Sequence, residues 1–182
     1  GQYGKKYLKW NVLPVPYEIN PTGGPGDQTG IDLGACVWDE ATAADLFLLG
    51  DTGSEATYNV QDYVNAVCFQ NYYTDPDIIG ACMVWYNPAT KAIVEFDIVF
   101  ETDYNWGYAG ATDETNLGDK SIMDLQNIAT HELGHALGLA DIYDEIQCSD
   151  VTMYGYSTGG ETKKRTLEEP DQTAIQILYG AR

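Results

Sequence analysis

Two histidines, a glutamate and an aspartate stand close together in the run Ala129-Thr130-His131-Glu132-Leu133-Gly134-His135-Ala136-Leu137-Gly138-Leu139-Ala140-Asp141. On a helix, residues four apart lie about 40° apart around the axis and one turn apart along it, so His131 and His135 can turn their imidazoles to one metal ion. Glu132, beside the first histidine, can reach a water held by that ion and take its proton. A tetrahedral zinc that works on water takes three protein ligands and leaves the fourth position to the water. Two sources for the third ligand are open. Gly138 allows a sharp left-handed turn at the helix end, which makes Asp141, three residues on, the leading choice. Asp144 and Glu145 are its nearest competitors. The other source is a later helix, which would offer Glu161, Glu168 or Glu169. The chain has only two histidines, and both fall inside this motif, which argues against coincidence.

The surrounding pattern supplies elements to position these groups. Apolar residues at Ile122, Leu125, Ile128, Ala129, Leu133, Ala136 and Leu137 recur at helical spacing. Ser121 and Asp124 predict the start of that helix and Gly138 its end. An earlier helix is expected over 31–49, burying Ile31, Ala35, Trp38, Ala41 and Leu48, and stopped by Gly50-Asp51-Thr52-Gly53. Residues 10–20 read as an extended strand with prolines at an edge. Strands are expected at 65–70, 80–86 and 92–100, the last two joined as a hairpin through Asn87-Pro88-Ala89-Thr90. Within 92–100, Glu95 and Asp97 alternate with Val94, Phe96 and Ile98, predicting a half-exposed strand that becomes buried at its end. Residues 101–120 form a long polar connection, of the kind that carries function or an ion. Pro170 marks the start of a closing helix with Ala174, Ile175, Leu178 and Tyr179 on its buried face.

Composition limits the remaining possibilities. The chain has 182 residues, enough for one domain over 1–182. Nine Lys and Arg against 28 Asp and Glu give a net charge of −19, which disfavours nucleic-acid and anionic-membrane partners. No apolar run is long enough to span a bilayer. Cys36, Cys68, Cys82 and Cys148 form no CxxC pair, so a thiolate zinc site is not expected. Their even number predicts two disulfides and an oxidising compartment. The chain begins Gly1-Gln2-Tyr3, which reads as a processed or trimmed form.

The zinc motif and its surroundings resemble the metzincin clan of zinc endopeptidases, and within it the matrixins. His131, Glu132, His135, Gly138 and Asp141 occupy the places of the clan pattern HExxHxxGxx(H/D). Aspartate in the last place is similar to the small snapalysin-like proteases. Met153, in Val151-Thr152-Met153-Tyr154-Gly155-Tyr156, sits where the clan has a methionine in a turn beneath the metal. Residues 167–180 resemble the family's last helix. The resemblance implies an α/β fold with a twisted, mostly parallel five-stranded sheet, one antiparallel edge strand, two long helices and a small C-terminal lobe. The N-terminal lobe would be 1–138 and the C-terminal lobe 139–182, with the metal between them. It implies a secreted, monomeric zinc endopeptidase with His131, His135 and Asp141 as ligands and Glu132 as general base. Tyr154 or Tyr156 would serve the oxyanion or line the pocket for the residue after the cut. Substrate would lie extended along an edge strand at 81–86. Structural calcium is a further expectation, with Asp97, Glu101, Asp103, Asp113, Glu114, Asp119 and Asp144 as donors. A non-catalytic metal-containing module and a zinc hydrolase of non-peptide substrates are the competing readings.

Overall fold

The computed structural model describes residues 7–110, 117–144 and 148–182. The apolar, β-branched and aromatic runs form a five-stranded sheet. Its strands are β1 (Val15–Ile19), β2 (Phe47–Leu49), β3 (Ala66–Gln70), β4 (Gly80–Tyr86) and β5 (Ile93–Glu101). The order is β2-β1-β3-β5-β4, with every neighbouring pair parallel except β4 against β5. The expected mostly parallel sheet with one antiparallel edge strand is therefore present. A short parallel pair, β6 (Trp106–Gly107) and β7 (Met123–Asp124), lies within and just after the long polar connection 101–120.

Two helices, α1 (Thr29–Ala41) and α2 (Leu125–Ala136), pack together and share the main apolar core with one face of the sheet. They approach closely because α1 turns glycines to α2: a Cβ on Gly34 would stand 2.9 Å from the Thr130 nitrogen. Trp38 Nε1 donates to the Thr130 carbonyl at 2.8 Å across the same contact. From the sheet, Phe96, Ile98 and Phe100 of β5 enter this core. A third helix, α3 (Glu169–Tyr179), closes the chain, and Ile175 and Leu178 are buried as its spacing predicts.

The helix expected over 31–49 ends at Ala41. Thr42 is extended, and the Asp39 carboxylate accepts the backbone N–H groups of Leu46 and Phe47, which turns the chain back. Phe47–Leu49 then pairs with β1, and Leu48, expected inside, is 55% exposed. The helical spacing of Ala41, Asp45 and Leu48 was accidental, and a strand partner won over local periodicity. The helix of the motif starts later than Ser121. Asp124 is its N-cap and accepts the Asn127 N–H at 2.9 Å, while Arg165 Nε donates to the same carboxylate.

The acidic side of β5 is buried rather than half-exposed. Segment 54–65 covers it, and backbone N–H groups of this segment and of the first residue of β3 end on the carboxylates. Asp62 and Tyr63 donate to Glu95, and Val60 and Ala66 donate to Asp97. Burial nonetheless pushes the Asp97 carboxyl up to about 6, with Glu95 adding to the shift. Because the folded pKa lies above the unfolded value, the stabilisation is fully present below pH ~4 and is lost as pH rises through 6. The expected size is on the order of 2–3 kcal/mol, from about two pKa units. Urea unfolding of wild type and Asp97→Asn between pH 4 and 7 reads this directly. The variant should lose that part of the slope; identical slopes would contradict it.

The four cysteines are free thiols, not the two disulfides expected. Cys68 and Cys82 lie on β3 and β4, which both flank β5, so they stand about two strand spacings, ~9.6 Å, apart. That exceeds the reach of a disulfide. Their partners on β5, Val99 and Ile98, also face opposite sides of the sheet. Among the described residues no helix is long and apolar enough to cross a membrane.

Candidate metal centre and cleft

His131 and His135 project from successive turns of α2, one buried and one partly so. The helix then ends in a Schellman turn. Gly138 has φ +98°, its N–H bonds the His135 carbonyl, and the Leu139 N–H bonds the Gly134 carbonyl. A side chain at Gly138 would be strained by φ, and its Cβ would also fall 2.2 Å from the Leu8 carbonyl oxygen. The turn carries Asp141 back over the histidines.

The three donor atoms form a nearly equilateral triangle. His131 Nε2 and His135 Nε2 are 3.2 Å apart, and Asp141 Oδ1 lies 3.2 and 3.3 Å from them. The edge of a tetrahedron with ~2.0–2.1 Å bonds is about 3.4 Å. Each imidazole points its other nitrogen at a backbone carbonyl: His131 Nδ1 at Thr152 (2.8 Å) and His135 Nδ1 at Leu139 (3.0 Å). A carbonyl only accepts, so Nδ1 carries the proton and Nε2 of the neutral ring presents a lone pair to the triangle. Three lone-pair donors this close repel unless a cation sits among them, so the donor set fits zinc. Without a cation, a proton on a histidine Nε2 answers the same crowding. Burial opposes charge on His135, yet the Asp141 hydrogen bond, the Glu132 charge and the Leu139 carbonyl raise its pKa to about 9. Hydrogen bonds from His131 and His135 hold Asp141 far below the usual carboxylate range.

Among the described residues this is the one group of three or more His, Cys, Asp or Glu side chains whose donor atoms converge. Asp144, Glu161, Glu168 and Glu169 are not part of it, and Glu145 lies outside the described residues. Glu161 instead accepts from Ser157 at 2.9 Å. Four of the carboxylates considered for calcium bond groups of the chain itself. Asp97 holds Val60 and Ala66, Glu101 holds Tyr72 and Tyr73, Asp103 accepts from Asn71, and Asp119 accepts from Ser121. Asp113 and Glu114 lie outside the described residues.

Glu132 is buried, and its Oε2 has no hydrogen-bond partner among the described residues. It opens on a cleft of about 620 Å³. Gly80, Ala81 and Cys82 of the edge strand β4 form one wall, and Gly155, Tyr156 and Ser157 form another. An orphaned carboxylate oxygen beside a metal-donor triangle is a ready acceptor for a water proton.

Met153 is buried directly beneath α2. A Cβ on Gly134 would meet its Sδ at 2.3 Å and Trp38 Cζ2 at 2.9 Å. Gly134→Ala should therefore cost roughly 1–3 kcal/mol of stability. An unchanged urea midpoint would show that Met153 moves aside freely. The turn around Met153 is tied on three sides. Thr152 offers its carbonyl to His131, Ile142 and Met153 are joined by a backbone bond, and Asp171 of α3 accepts the N–H groups of Thr152 and Met153.

The two tyrosines singled out in the sequence separate here. Tyr156 is 62% exposed and lines the cleft. Tyr154 is buried, does not line the cleft, and packs under the Lys163 ammonium. The sequence reading missed Tyr143, whose hydroxyl donates to Asp141 Oδ2 at 3.0 Å and whose ring packs edge-on against Tyr156. It also missed Asp171. Tyr143, two residues after Asp141, and Asp171, in the first turn after Pro170, were visible only as spacings without a partner.

Fold and site together define an α/β domain that carries a metal-donor cluster on a helix below a sheet edge. Within that class the chain belongs to the matrixin family, whose peptidase M10 profile matches residues 54–180, more than half of it. Similar curated proteins include Metalloendoproteinase 2-MMP of Arabidopsis thaliana, 37% identical over 81 residues, which are 44% of this chain and 20% of that protein. Karilysin of Tannerella forsythia is 36% identical over 81 residues, 44% of this chain and 14% of that protein. Matrilysin of Homo sapiens is 34% identical over 86 residues, 47% of this chain and 27% of that protein. The matched part is thus a small share of each of these longer proteins.

Proposed function

We propose that this chain is a secreted, zinc-dependent endopeptidase in which His131, His135 and Asp141 hold the metal and Glu132 is the general base. The observation that supports it most is the donor triangle with 3.2–3.3 Å edges beside the buried, unpartnered Glu132 Oε2. The matrixin match and relatives named as metalloproteinases favour peptide substrates.

When bound, zinc supplies a Lewis acid for the peptide carbonyl and lowers the pKa of a water. Glu132 takes the proton of the attacking water and passes it to the leaving amine. Thr152 and Leu139 carbonyls fix the imidazole tautomers, and the Tyr143 hydroxyl holds one oxygen of Asp141 so that the other faces the histidines. Tyr156 borders the cleft, where its hydroxyl can serve a substrate oxygen. The edge strand β4 offers unpaired backbone groups along one wall, to which an extended peptide can add as a strand. In this reading the cleft divides an N-terminal lobe, 1–138, from a C-terminal lobe, 139–182, which contributes Asp141, the Met153 turn and α3. One chain supplies the whole site, in keeping with a monomer. Among the described residues no three carboxylates converge away from the donor triangle, and calcium forms no part of the proposal.

Cleavage of a labelled, unstructured protein tests this. Activity should vanish with a chelator and return with added zinc. No cleavage by zinc-loaded protein would favour a non-catalytic module or a non-peptide substrate.

A further inference from the structure

Lys164 follows Lys163 within a short 3₁₀ turn, Lys163–Arg165, and is 1% exposed, yet it lines the cleft. Lysine is rarely buried so fully without a counter-charge. Its backbone N–H donates to Asn127 Oδ1 at 2.8 Å, which pins it against α2 one turn before His131. Its ammonium donates to the carbonyls of Tyr154 and Tyr156, the second at 2.9 Å. An ammonium has three N–H bonds. Among the described residues no third acceptor and no carboxylate within ion-pair distance stands against it. Burial pushes its pKa down to about 8, against the opposing charges of Glu161, Glu132 and Asp141.

This charge is out of keeping with its surroundings. The chain carries −19, and Asp77, Glu132 and Asp141 all line the cleft. Lys164 is the one lysine or arginine among the described cleft-lining residues. It shares the cleft lining with Ile128, Tyr156 and Ser157, its ammonium sits on the Tyr156 carbonyl, and it is near enough to Glu132 and Asp141 to feel their charge. A side chain entering there meets a desolvated ammonium with a hydrogen bond to give. A carboxylate answers both the charge and the bond, and an amide oxygen only the bond. A leucine leaves the ammonium buried and unpaired, and a lysine is repelled.

We propose that Lys164 determines specificity, selecting substrates that place a glutamate beside the scissile bond, at the residue after the cut. The inference rests on the endopeptidase reading above. Its test uses four quenched fluorescent peptides, identical except for Glu, Gln, Leu or Lys at that residue. Values of kcat/KM are compared for wild type and Lys164→Met, with the cut site confirmed by mass. Wild type should prefer Glu to Leu by roughly 10-fold or more, with Gln between and Lys last. Lys164→Met, of similar length without charge, should prefer Leu while still cutting.

The wild-type series alone is decisive if the variant fails to fold. Chelator-sensitive cutting with Leu equal to or better than Glu overturns the role of Lys164 and leaves the endopeptidase reading standing. So does a Glu preference that survives in folded Lys164→Met. If no peptide and no unfolded protein is cut, both readings fall.

Discussion

Glu132→Gln should bind zinc as wild type does and keep its fold, but cleave an unfolded protein roughly 10²–10⁴-fold more slowly. Glutamine has the shape of glutamate and cannot accept the water proton. Among the described residues nothing bonds Glu132 through Oε2, the atom that would act, so its loss removes chemistry rather than packing. Zinc stoichiometry, thermal unfolding and kcat/KM should be read on the same preparations. A rate within about threefold of wild type, with bound zinc unchanged, would mean that another group takes the proton. Loss of zinc together with activity would assign Glu132 to the metal instead.

Asp141→Ala should lower zinc affinity by more than about 100-fold, beyond what loss of a supporting hydrogen bond to a ligand costs. Asp141 supplies one vertex of the donor triangle and its only formal negative charge. Competition with a chelator of known affinity measures the change. Asp141→His keeps a donor at that vertex and should recover most of the affinity. Glu161→Gln, Glu168→Gln and Glu169→Gln should bind as wild type, because none of those side chains joins the cluster. Zinc held equally well by Asp141→Ala would return the third ligand to one of them.

Much of the architecture was legible because it follows from short-range rules. Strand β4 matches its run of apolar residues, and its hairpin with β5 follows from the Asn87 to Thr90 turn. Helix α2 was readable from apolar spacing, and its end from a glycine whose positive φ the turn requires. The failures share a cause. Leu48 continued a helical spacing but left the helix, because Asp39 captured the next segment's N–H groups and β1 offered a strand edge. Glu95 and Asp97 looked half-exposed, because nothing local announced the loop that would cover them. The cysteine count suggested two bridges, but the four thiols are free, and the strand order forbids a bridge between Cys68 and Cys82.

At the site the division is similar. The histidine spacing on a helix already assigned His131, His135 and Glu132 to one metal-and-water chemistry, since a helix places residues four apart at one point in space. The turn glycine made Asp141 the leading third donor but left others open. Only the folded chain brought Asp141 Oδ1 to 3.2–3.3 Å of both imidazoles, buried Tyr154 away from the cleft and set Tyr143 on the aspartate. Only the fold, too, placed the buried Lys164 ammonium, held by two carbonyls and by no carboxylate among the described residues, in an acidic cleft. Local periodicity is a property of the backbone and can be read one turn at a time. Burial, the partners of a carboxylate and the face a side chain presents depend on segments far apart in sequence, and the chain sets them only when those segments pack.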